Sequence, residues 1–149
     1  VSTRMRLGDR LVELLADIPG VHPPERIKGA EHAYWHFPIR ADADVLGVSR
    51  EQFGEAVRAE GIALGGGWIG KPLYMFDALL HRIAYGSSDY PWDAGRDEPV
   101  SYYEGLCPQA EQSLRELCVL NLNERWTDRD VQDCAEAIDK VARACAARA

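Results

Sequence analysis

The stretch Gly61-Ile-Ala-Leu-Gly-Gly-Gly-Trp-Ile-Gly-Lys-Pro-Leu-Tyr74 decides how this chain is read. Ile62 to Ile69 has the apolar weight of a strand. Gly65, Gly66, Gly67 and Gly70 leave its backbone free to take positive φ, or to lie close against a ligand or another chain. Gly70-Lys-Pro72 then breaks it. Helical patterns flank the stretch on both sides. A helix runs from Arg50 to about Glu60 and is closed by Gly61; another is predicted over Leu73 to Ile83, with Leu73, Phe76, Leu79, Leu80 and Ile83 on one stripe. The glycines match neither G-x-G-x-x-G nor P-loop spacing, so the run is not a phosphate cradle.

Towards the N-terminus, Ser49-Arg-Glu-Gln52 has the spacing of a capping box. Before it, His32-Ala-Tyr-Trp-His-Phe-Pro-Ile-Arg40 alternates, which predicts a strand with Trp35, Phe37 and Ile39 on one face and Tyr34, His36 and Arg40 on the other. Pro38 places that strand at an edge or a bulge. Val21 to Pro24 reads as a loop. Leu7, Leu11, Leu14, Leu15 and Ile18 form the stripe of a first helix, ended by Pro19-Gly20.

Towards the C-terminus, Ala84 to Gly105 has no periodicity but carries Tyr90, Trp92, Tyr102 and Tyr103. A loop of that length with that aromatic content suggests an ordered lid or an interface arm. Pro108 suits the first turn of a helix reaching Glu116 or Cys118, and Val119 to Asn123 alternates as a short strand. A last helix starts at Thr127, with Asp130 three residues on, and carries the stripe Val131, Cys134, Ala135, Ile138, Val141, Ala142 and Cys145. The expectation is an α+β fold: one small two-layer domain over residues 1–149, a three-stranded, largely antiparallel sheet with helices packed on one face.

Composition removes several classes of function. The net charge of -7, from 24 acidic and 17 basic residues, is unsuited to tracking a phosphate backbone, so no nucleic-acid partner is expected. No run approaches a membrane span and Val-Ser-Thr-Arg-Met-Arg lacks a signal-peptide core, so the cytoplasm is expected and no membrane. Cys107, Cys118, Cys134 and Cys145 form no C-x-x-C pair and read as buried thiols. His32 and His36, four apart on a strand, stand roughly 13 Å from each other and share no metal ion. Lys71 lacks a phosphate loop or an acidic partner for a pyridine nitrogen nearby, so it reads as a structural or ligand-facing cation, not a Schiff-base lysine.

The order of these segments resembles a known family. Leu15-Ala-Asp-Ile-Pro-Gly20, Tyr34-Trp-His-Phe-Pro-Ile-Arg40, the helix Arg50 to Gly61, Trp68 to Tyr74, Cys107-Pro-Gln-Ala-Glu111, Val119-Leu-Asn-Leu-Asn-Glu124 and Thr127-Asp-Arg-Asp-Val131 follow one another as in the C-terminal small domain of the PLP-dependent sugar aminotransferases of the DegT/StrS type, in the aspartate aminotransferase fold group. The resemblance implies that residues 1–20 hold the helix by which the chain leaves an N-terminal PLP-binding domain. That domain would carry the cofactor's lysine, the acid facing its pyridine nitrogen and its phosphate-binding residues. No catalytic or cofactor-binding residue is then expected in this chain, and alone it should be inactive. In the intact homodimer, the resemblance implies amino transfer from glutamate or glutamine to a keto-sugar or keto-cyclitol, with Trp68, Lys71, Tyr74 and Asn123 facing the substrate. Related enzymes dehydrate or isomerise sugars, and the residue that separates these activities lies outside the sequence. The competing expectation is a stand-alone α+β module that binds a small metabolite without catalysis.

Overall fold

The computed structural model describes residues 1–67, 69–92, 94 and 100–148. Its elements in chain order are α1 (Ser2–Leu15), β1 (Val21–His22), β2 (Phe37–Ala41), α2 (Ala43–Leu46), α3 (Arg50–Ala59), β3 (Leu64–Gly65), a 3-10 turn (Leu73–Met75), α4 (Asp77–Leu80), α5 (Pro108–Glu116), β4 (Leu117–Leu120) and α6 (Asp128–Ala146). The chain divides into two compact units, one of Val1–Trp68 with Glu116–Ala149 and one of Ile69–Arg115.

The first unit is a two-layer α+β sandwich. Its sheet has the order β1-β2-β4-β3, with every neighbouring pair antiparallel. Along β2, Phe37, Ile39 and Ala41 are buried while Pro38 and Arg40 are half-buried, so one face of the sheet takes the helices. Against that face pack Leu7, Leu11 and Leu15 of α1, Phe53 and Val57 of α3, and Val131, Cys134, Ile138 and Ala142 of α6. Burying these side chains is the main favourable term, roughly 1.5–3 kcal/mol for each large one. Both capping boxes form. The Ser49 side chain accepts from the Gln52 amide while Gln52 accepts from the Ser49 amide, and Thr127 and Asp130 do the same at the start of α6.

The sheet has four strands where the sequence predicts three. The extra one, Val21–His22, falls in the expected loop; Gly20, at φ 71°, turns the chain so that Val21 pairs with Ala41 and His22 with Arg40. Two residues are too few to show alternation, so only the pairing reveals this strand.

The strand predicted from His32 begins only at Phe37. Tyr34 stands at φ 47° with its amide donated to Nδ1 of His32 at 2.9 Å, a local turn that no extended strand can contain. That turn inverts the expected faces: Tyr34 is 2% exposed and Trp35 is 72% exposed. The Tyr34 ring stacks on Phe37 with centroids 5.5 Å apart and lies over Gly8, while its hydroxyl donates to Oδ1 of Asp9 at 2.8 Å.

The last strand also sits earlier than expected, at Leu117–Leu120. Among the described residues no helix is long and apolar enough to cross a membrane.

Among the described residues of the second unit, few side chains are buried, Trp92 and Glu111 being the ones below a tenth exposed. The predicted helix over Leu73 to Ile83 is instead a 3-10 turn and the single-turn α4, separated by Phe76 in an extended conformation (φ -77°, ψ 144°). One extended residue breaks the i to i−4 hydrogen-bond ladder, and the apolar stripe that suggested a longer helix stays largely exposed at Leu73, Phe76 and Ile83.

Candidate functional site

Pro72, at φ -58°, sets up the 3-10 turn and fixes the direction of Lys71 before it and Tyr74 within it. The Lys71 side chain is 47% exposed; its Nζ lies 4.0 Å from Oδ1 of Asp77 and 5.1 Å from the centroid of the Phe76 ring. A carboxylate and an aromatic face are contacts an ammonium makes, and water has free access to it. Lys71 is thus placed as a cation able to reach an anionic group, not as a desolvated amine.

Tyr74 is tied into a small polar network. Its hydroxyl donates to Oε1 of Glu111 at 2.5 Å and accepts the Cys107 amide at 3.2 Å, and the same Glu111 oxygen accepts the Gly105 amide at 2.7 Å. Glu111 is in the first turn of α5 and only 9% exposed. The Tyr74 hydroxyl and the Gly105 amide hold its carboxyl below the usual range. Burial pushes the Tyr74 phenol up, and the Glu111 carboxylate that accepts its proton pushes it further. A phenolic oxygen with one donated and one accepted bond has one lone pair left, so the ring face and edge are what Tyr74 chiefly offers a ligand.

The same network fastens the long loop at its exit. At its start Arg82, at φ 55°, donates to Oδ2 of Asp89 at 3.2 Å and to the Val100 carbonyl. Tyr85 bridges to Ser88, the Tyr90–Pro91 peptide is cis, and Trp92 is buried. The aromatic loop predicted over Ala84 to Gly105 is thus held at both ends in its described residues.

Of the four residues expected to face a substrate, Lys71 and Tyr74 share the 3-10 turn region of the second unit. Trp68 lies outside the described residues. Asn123 belongs to the first unit, where its Oδ1 accepts the Arg125 amide at 2.9 Å. Gly65 pairs with Val119 and Leu64 with Leu120 in antiparallel register, so the glycine run leaves the sheet in the direction away from Asn123. The side chain the sequence did not single out is Glu111, although it closes the motif Cys107-Pro-Gln-Ala-Glu111. Its burial is a tertiary property, and a lone glutamate in a helix's first turn ordinarily faces water.

The cysteines are all unpaired, with Cys118 and Cys134 buried, Cys145 half-buried and Cys107 exposed, so the reading of four buried thiols fails at Cys107. It begins the turn before α5, where no apolar layer covers it. Burial pushes the Cys118 thiol up to about 11 and the Cys134 thiol up to about 12. Among the described residues no group of three or more His, Cys, Asp or Glu side chains could hold a metal ion.

No family profile matches the sequence. Solved structures do match the fold. The aminotransferase TlmJ from Streptoalloteichus hindustanus superposes with a TM-score of 0.66 at 19% identity, over 97% of this chain and 32% of its own. A DegT DnrJ EryC1 StrS aminotransferase from Brucella abortus gives 0.67 at 21% identity, over 93% and 30%. Helicobacter pylori PseC, an aminotransferase involved in the biosynthesis of pseudoaminic acid, gives 0.67 at 14% identity, over 96% and 33%. The chain has the fold of a DegT/StrS-type aminotransferase segment. It spans about a third of the length of these proteins.

Proposed function

We propose that this chain is the small domain of a cytoplasmic, homodimeric, PLP-dependent aminotransferase that moves an amino group from glutamate or glutamine to a keto-sugar or keto-cyclitol. The observation that supports the reading is that 93% or more of this DegT/StrS-like segment superposes on several aminotransferases of different origin.

The residues present do not fit the cofactor. Lys71, the candidate amine nearest the glycine run, is open to water and flanked by Asp77 and Phe76. Covalent cofactor binding calls instead for an amine in a desolvated setting with phosphate donors around it. No step through PLP is therefore derived for this chain, and on this reading an N-terminal PLP-binding domain supplies it.

The role left to the chain is to bind and orient. Lys71 offers a positive charge to a carboxylate or phosphate of the substrate, and Tyr74 offers a ring face held still by Glu111. Trp68 and Asn123 remain the other proposed substrate contacts.

Three measurements test the proposal. The natural protein should have a mass several times the 16.6 kDa of this chain. It should aminate keto-sugars with glutamate as donor, and Lys71→Ala should raise KM for an anionic sugar substrate. The 149-residue chain alone, treated with PLP and borohydride, should carry no pyridoxyl group on Lys71. A natural protein of this chain's own mass, without PLP and with affinity for a metabolite, would overturn the reading in favour of a stand-alone binding module.

A further inference from the structure

The first unit contains a cleft at the end of the sheet where β2 begins and β4 finishes, remote along the strands from the point where the glycine run departs. Its volume is about 380 Å³, within the roughly 300–1,000 Å³ of small-molecule sites. Trp35 stands at its rim with 72% of its surface exposed, turned outwards by the positive φ of Tyr34. The His36 ring lies beside the indole, with centroids 4.6 Å apart and planes 34° apart, and its Nδ1 is 3.1 Å from Oδ1 of Asn121. Asn123 lines the cleft as well, its Oδ1 fixed by the Arg125 amide, which leaves its amide NH2 as a donor. Arg4 and Glu124 line it as an ion pair with Nη2 to Oε2 at 2.7 Å.

We propose that this cleft is a saccharide subsite for a neutral pyranose. An exposed indole presents an apolar plane to the C–H face of a pyranose ring, while two carboxamides and a preformed Arg–Glu pair around it supply both donors and acceptors for ring hydroxyls. Arg4 and Glu124 cancel each other's charge, and Arg125, which also lines the cleft, adds a guanidinium donor for ring hydroxyls. The backbone supports this arrangement. A buried Tyr34 in the left-handed region forces the next side chain out, and Asn121 and Asn123 follow β4 two residues apart, as in extended chain. The residues that line this cleft all belong to the first unit, and the proposal does not depend on the aminotransferase reading.

The test is a titration of the purified full-length protein with methyl glucoside, methyl galactoside and methyl mannoside, with uridine as a control, followed by ligand-observed saturation-transfer NMR. At least one glycoside should bind, with transfer strongest on protons of one ring face. Trp35→Ala should weaken it about tenfold or more, as truncation of an aromatic anchor does, and Asn121→Ala should weaken it less. Lys71→Ala should leave this binding unchanged, which separates it from sugar recognised elsewhere in the protein. Trp35 is exposed, so its variant should keep the parent thermal midpoint, and circular dichroism confirms that the loss is local. Absence of glycoside binding, binding indifferent to Trp35→Ala, binding abolished by Lys71→Ala, or binding of uridine in preference to every glycoside would each overturn the proposal.

Discussion

Substituting Gly8 by alanine should destabilise the protein, although the same change in an ordinary helix stabilises it. In the interior of α1, alanine is favoured over glycine by about 1 kcal/mol. At this position, however, an ideal Cβ would lie 2.2 Å from Cδ2 of Tyr34, 2.5 Å from Cγ and 2.7 Å from Cε2. The ring cannot step aside cheaply: it is 2% exposed, stacked on Phe37 and anchored through its hydroxyl to Asp9. Overpacking of a closed core costs about 1–3 kcal/mol, and several contacts below 3 Å place this site at the upper end. The net loss should then be about 1–2 kcal/mol after the helix gain, or a fall in Tm of about 2–8 °C for a domain of this size. Urea unfolding of four proteins gives the answer: the parent, Gly8→Ala, Tyr34→Leu and the double variant. Tyr34→Leu alone should lose stability through the cavity it leaves. On that background Gly8→Ala should become neutral or stabilising. A Gly8→Ala protein as stable as the parent, or strictly additive single effects, would refute the argument that Gly8 exists to admit the Tyr34 ring.

Further outcomes follow from the same contacts. Glu111→Gln removes the carboxylate that holds the Tyr74 proton, so ultraviolet titration should show that phenol ionising at lower pH than in the parent; an unmoved titration curve would contradict the network. The Glu111 carboxyl is held down in the folded state, so its contribution to stability is present above the ordinary glutamate range and is lost as pH falls through its depressed value. Stability measured from neutral to acid pH should therefore fall less steeply for Glu111→Gln. Thr127→Ala opens the capping box of α6 and should cost about 1 kcal/mol in chemical denaturation. Mass spectrometry after brief alkylation near neutral pH should find Cys107 modified while Cys118 and Cys134, pushed up to about 11 and about 12 and buried, stay unmodified until unfolding.

What the sequence made legible was local. The capping boxes at Ser49 and Thr127 and the stripe of α6 are decided within a few residues, and the structure contains them as read. The sheet was harder because its strands are two to five residues long, and such strands exist through pairing and not through pattern. Tyr34 illustrates the limit. Its alternation with Phe37 and Ile39 assigned it to the outer face, yet a turn closed by His32 puts it into the core and sends Trp35 out. Glu111 was invisible as a buried group because its burial depends on Tyr74, 37 residues away in sequence, and on the turn that brings the Gly105 amide back to it. The direction in which the glycine run leaves the sheet relative to Asn123 was likewise not legible, because proximity of strand ends says nothing about direction until the register is known.

The glycine run itself has a nearer partner than any ligand. A Cβ on Gly67, which sits at φ 101°, would come within 2.7 Å of an Arg50 guanidinium nitrogen, and one on Gly66 within 3.4 Å of the Glu51 Cα. A Cβ on Gly54 of α3 would in turn lie 3.5 Å from the Gly66 amide nitrogen. Arg58 donates to the Leu64 carbonyl at 2.7 Å, and Arg50 reaches the Leu117 carbonyl at 3.4 Å. The first glycines after β3 therefore let the backbone lie against the start of α3 and under two arginines that satisfy sheet carbonyls. This packing accounts for Gly66 and Gly67 without a bound group. Gly70 is different: a Cβ there would meet nothing within 4 Å. Open space along the segment is found at Gly70, next to Lys71, and not at the packed glycines that precede it.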